Sequence, residues 1–113
     1  MRSTSTRRRS PGRDPRKVWS ISVADLGAPG LALRQPLTVQ VEDHDDDITA
    51  TWPEVEAWGA GRTEADAINR LKDELVALYD ELNATPERVL GKLPQRWKDS
   101  LSNVVIDWRR SRT

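Results

Sequence analysis

Cysteine and phenylalanine are both missing from this 113-residue chain, and tyrosine, histidine and methionine occur once each. Without a thiol there is no disulfide, no thiolate zinc site and no cysteine nucleophile, so a core of this size must hold by packing and by self-association where packing falls short. No apolar run is long enough to span a membrane, and the arginine-rich start lacks the apolar stretch that secretion requires. These absences predict a cytoplasmic protein with no membrane contact. The lone His44 sits in an acidic stretch, where an exposed turn histidine is expected rather than the centre of a Ser-His-Asp triad or a metal site. No phosphate-binding glycine loop, nucleophile elbow or cofactor motif occurs. The expectation is therefore a non-enzyme with no catalytic residue, no metal and no cofactor.

Net charge is also absent, but only in sum. Residues 1–17 carry +6 (seven bases, one acid), residues 18–95 carry −9 (six bases, fifteen acids), and residues 96–113 carry +3 (five bases, two acids). Met1 to Lys17 is rich in Arg, Ser, Pro and Gly, with almost nothing to bury, and reads as a disordered basic arm. Residues 18–113 then form a single domain, divided into an additional strand and loop (18–36), a central unit (37–82) and a C-terminal helical extension (83–113). Five tryptophans supply nearly all the aromatic area. Their N–H groups need partners when buried, which places some of these rings at the margin of a core or in an interface.

Period-two alternation marks the strands. Trp19, Ile21 and Val23 alternate with Ser20, Ser22 and Ala24. After the break at Leu26-Gly27-Ala28-Pro29-Gly30, Leu37, Val39 and Val41 alternate with Thr38, Gln40 and Glu42. A polar turn, Asp43 to Asp47, leads to a second β-branched run from Ile48 to Trp52, and the two runs form an antiparallel hairpin. Pro53 ends it, and Val55 to Ala60 reads as a further strand. At Gly61 the period changes. Thr63 fits the N-cap of a helix, with Asp66 three residues on as a short capping-box partner. Ala67, Ile68, Leu71, Leu75, Leu78 and Leu82 then form one apolar stripe at helical spacing from Glu64 to Leu82. Thr85, Pro86 and Gly91 bracket one short helical turn. Pro94 opens a last amphipathic helix whose stripe, Trp97, Leu101, Val104, Val105 and Trp108, must be covered by the protein's own body or by a partner. The fold class is α+β: a small antiparallel sheet of three to four strands covered by one long helix (β-β-β-α), with a C-terminal helix and the basic arm.

Two constellations invite chemical readings. Asp43, Asp45, Asp47 and Glu54 have the spacing of calcium-loop ligands, but Ile48 stands where the loop needs glycine and strands flank it, so a solvated hairpin turn is expected. Arg7-Arg8-Arg9 can contact phosphates and release counterions; the same run equally suits a tail with no polyanion partner.

The Pro53 break, the Gly61-x-Thr63-x-x-Asp66-Ala67 corner, Leu71 and the acidic turn before Ile48 together resemble the HicB-like antitoxin domain over about residues 37–82. The resemblance implies a truncated ribonuclease H-like fold without catalytic acids and the neutralisation of a small RNA-cleaving toxin by binding. Many members also repress their own operon through an added DNA-binding segment, but residues 83–113 contain no helix pair suited to that. Strand three departs from the family in carrying Glu56-Ala57 where a glycine is common. The expected partners are a small basic toxin-like protein and a second copy in a homodimer, met through Asp45, Asp46, Asp47, Trp97, Leu101, Val104 and Trp108. Two alternatives remain open: a nucleic-acid-associated protein using the basic arm, and a homo-oligomeric structural domain with no toxin partner.

Overall fold

A strand with one buried face shows its apolar residues at every second position, and the alternating segments of this chain meet one another on that basis. The computed structural model describes residues 17–109. In chain order they form β1 (Lys17–Val23), β2 (Leu31–Leu33), β3 (Leu37–Asp43), β4 (Ile48–Trp52), β5 (Ala57–Gly61), α1 (Glu64–Ala84), α2 (Lys92–Val104) and β6 (Val105–Asp107). Short 3-10 turns occupy Pro53–Val55 and Glu87–Val89.

Four strands make one antiparallel sheet in the order β1-β3-β4-β5. Val23, Leu37, Val39, Val41, Ala50, Trp52 and Ala57 share its inner face and are buried. α1 lies across that face, against β4 and β5. Its Ala67, Leu71, Leu75, Tyr79 and Leu82 recur every three or four residues and complete the core. Burying one such leucine contributes roughly 1.5–3 kcal/mol, so this stripe decides where the helix lies.

The corner expected at Gly61 is present. Thr63 is the N-cap of α1, and its Oγ1 accepts a hydrogen bond from the Asp66 amide at 3.0 Å. Glu64 and Asp66 add negative charge to the first turn, where the helix dipole favours it. Close approach explains the glycines of β5. A Cβ at Gly59 would collide with the Leu71 backbone and stand 2.7 Å from the Ala67 carbonyl oxygen, and one at Gly61 would stand 2.9 Å from the Ala67 amide. Ala67 is the small partner on the helix side, with no exposed surface.

Several expectations require correction. The strand expected from Val55 begins at Ala57, because Pro53–Val55 turns as a 3-10 helix and Glu56 closes it in the left-handed region (φ 59°). Gly91 does not end the short turn at Glu87–Val89; it is the N-cap of α2, which starts at Lys92 rather than Pro94. The last helix also stops four residues before Trp108. Val105–Asp107 leaves the helix as β6 and pairs with β2, an element the sequence reading assigned to loop. Lys17, assigned to the arm, opens β1 opposite Asp43. Arg7, Arg8 and Arg9 lie outside the described residues.

Candidate protein-binding surface

Because side chains alternate across a sheet, the strands that bury one face under α1 present a second set of residues on the other. Register places them in rows. Ser20, Gln40, Thr51 and Trp58 stand side by side across the four strands, and Val18, Glu42, Thr49 and Ala60 form the next row. Both helices are accounted for elsewhere: α1 on the inner face, α2 against α1 and the Pro53–Val55 turn. This outer face is mostly hydroxyl and amide, with Trp58 on the edge strand β5 at 54% exposure.

Glu42 supplies the charge within the face. Its carboxylate sits 3.0 Å from His44 Nε2 and 3.3 Å from Gln40 Nε2, and its side chain is only 16% exposed. His44 is therefore not the exposed turn residue expected; it packs beside Glu42 with its own side chain 14% exposed. The turn that follows is shaped locally. Asp43 Oδ1 accepts the Asp45 amide at 3.0 Å, Asp45 takes a left-handed conformation (φ 75°), and the His44 amide donates to the Asp47 carbonyl at 2.9 Å. Asp45, Asp46 and Asp47 consequently project at the rim, all exposed. Ile48 pairs with Gly61, which brings Glu64 and Asp66 at the start of α1 to this same end of the sheet. Residues 17–109 carry seventeen acids against ten bases. Among them, no group of three or more His, Asp or Glu side chains is arranged to hold a metal ion, and no helix is long and apolar enough to cross a membrane.

The second half of the expected interface is divided by the fold. Leu101 (1% exposed) and Val104 are core residues, and Trp97 packs half-buried against them. Trp108 is exposed, but it follows β6 instead of continuing the helix stripe, and its amide donates to the Gly30 carbonyl at 2.8 Å. The stripe therefore covers the protein's own core, and Trp97, Leu101, Val104 and Trp108 do not form one surface. Of the residues expected to meet a partner, Asp45, Asp46 and Asp47 stand together. Trp58, by contrast, was not singled out; its place in a two-residue alternation between Ala57 and Gly59 carried the signal that it points away from the core.

A polar clasp closes the far end. Arg109 donates from Nη2 to Asp80 Oδ1 at 2.8 Å and from Nε to Asp107 Oδ1 at 3.1 Å, tying β6 to α1. The Arg109 guanidinium beside Asp107 holds its carboxyl down at about 2, below the usual 3.8, with the Arg109 amide and the Tyr79 side chain adding hydrogen bonds against the opposing effect of burial. The same pairing, with Asp80, stabilises the charged form of Arg109.

Comparison with protein-family models, with curated proteins and with solved structures finds no match for this chain. The reading of the surface accordingly rests on its own geometry and charge.

Proposed function

We propose that the protein is a non-catalytic binding module of the HicB-like antitoxin kind, which neutralises a small basic RNA-cleaving protein by covering it. The observation that supports this most is the acidic end of the sheet, where Asp45, Asp46 and Asp47 project beside a face that neither described helix covers and that bears Trp58. Acids at a rim steer a basic partner and raise its association rate, while a tryptophan nearby supplies the apolar area that slows dissociation. The β-β-β-α order and the Gly61 to Ala67 corner are consistent with the resemblance over residues 37–82. Inhibition would be steric, requiring no reacting group on this chain.

The direct test is to purify this protein with the product of any short basic reading frame beside its gene and to follow cleavage of RNA by that product. A stoichiometric complex in which cleavage stops supports the proposal. Cleavage that continues at saturating concentrations of this protein, or a neighbouring product that does not cleave RNA, refutes it.

A further inference from the structure

Two features are left unused by the binding reading: the rest of the outer face and the arginine-rich segment that precedes it. β1 is an edge strand, and its first residue, Lys17, stands opposite Asp43. β1 therefore begins beside the Asp45–Asp47 rim and the Glu42 row. Residues 1–16 hold six arginines and one acid, a net +5, whereas residues 17–109 sum to −7. A segment of one sign is tethered at the place where the body concentrates the other.

Reach permits contact. The eight residue steps from Arg9 to Lys17 span up to about 26 Å when extended, and crossing from β1 to β5 takes three strand spacings, about 14 Å. The surface crossed is suited to guanidinium groups. Ser20, Thr49 and Thr51 offer hydroxyl acceptors, Glu42 offers negative charge, and Trp58 at the far edge offers a ring face against which an arginine stacks. Tethering raises the local concentration of the segment to about the millimolar range, so individually weak contacts suffice.

We propose that the outer sheet face, from Glu42 to Trp58, is the docking site of the chain's own Arg7-Arg8-Arg9 segment. The segment occupies in cis the surface that a basic partner approaches, and such a partner must displace it. This competitive role rests on the antitoxin reading; the docking itself does not. Docking also draws the arginines away from polyanions, so nucleic-acid retention by the full chain is weak until a partner releases them.

The absence of cysteine allows a clean test in the full-length protein. A nitroxide placed through Ser5→Cys should broaden away the amide signals of Trp58, Thr51 and Thr49 at low salt and leave those of β2 and β6 intact. The loss should disappear at about 1 M salt, where the screening length is about 3 Å, and in the Arg7→Gln, Arg8→Gln, Arg9→Gln variant. Trp58→Leu, at an exposed position, should reduce it without altering the melting temperature. Unchanged outer-face signals at low salt overturn the proposal, as does broadening that is stronger on β2 and β6 than on the outer face. Broadening that arises equally when labelled protein is mixed with unlabelled isotope-enriched protein overturns it in favour of docking on a second copy. Failure here leaves RNA-cleavage inhibition untouched, and a docked arm on a protein that inhibits nothing sinks the antitoxin reading alone.

Discussion

β3 and β4 are joined through the short acidic turn at His44–Asp47, whereas residues 34–104 separate β2 from β6. The two pairings are held differently. The four-stranded sheet is held by burial: Val39, Val41, Leu71 and Leu75 interdigitate with little or no exposed surface. The β2-β6 ribbon has only three residues in each strand; it adds Leu31 and Val105 to the core and is closed by polar contacts from Arg109 to Asp107 and Asp80, with the Arg34 amide on the Val104 carbonyl at 2.8 Å. Local pairing with a large apolar face needs no clasp. The distant pairing has the smaller apolar face and is supplemented by the clasp, which ties the later segment back to α1.

The contrast predicts a gradient of effects. Leu71→Ala should cost about 2–5 kcal/mol in chemical denaturation, since the cavity lies at the centre of the helix-sheet layer; a shift near zero would break the comparison at its stronger end. Asp107→Asn should cost about 1–2 kcal/mol, the lower range for a charged hydrogen-bond group whose partner is 40% exposed. Amide exchange should then speed up in β2 and β6 while β3 and β4 keep their protection. The same residue sets a pH limb. Its folded value of about 2 lies below the usual 3.8, so its contribution is complete above about 3.8 and vanishes as pH falls through about 2. Denaturation of the Asn variant should lack that part of the acid loss. Thr63→Ala should cost about 1 kcal/mol by removing the cap on the Asp66 amide, read as a lowered melting temperature. Smallest in stability, within about 0.5 kcal/mol, should be Asp46→Lys and Asp47→Lys together, with Asp45 kept because its left-handed conformation disfavours lysine, although binding to a basic partner should slow markedly at low salt and less at high salt.

The same contrast governs what could be read from residues alone. β3, β4 and α1 were legible because each repeats its period over several residues, and the Gly61-Thr63 corner because cap and close approach need particular residue types. β2 was not, since Leu31-Ala32-Leu33 is too short to establish a period. β6 was hidden by coincidence: Leu101, Val104, Val105 and Trp108 continue a three-and-four spacing after the helix has ended. The available signal was Val104-Val105-Ile106, a β-branched run that favours strand over helix. Of the candidate surface, the acidic rim was visible as a turn, but the pairing of Glu42 with His44 depends on the first residue after β3 falling on the face of Glu42, two positions back.

The β2-β6 register also imposes an order in time. Everything that the four-stranded sheet and α1 require has been synthesised by Ala84, but the mate of Leu31–Leu33 follows only after residues 34–104. At about 5–20 residues per second, β2 waits several seconds on a translating ribosome with its ladder unpaired. The sheet-helix layer is therefore complete in sequence before the ribbon is. The ribbon and its arginine clasp can close only after it, so β2 is the one strand of the described fold that must wait for its partner across the whole sheet-helix layer.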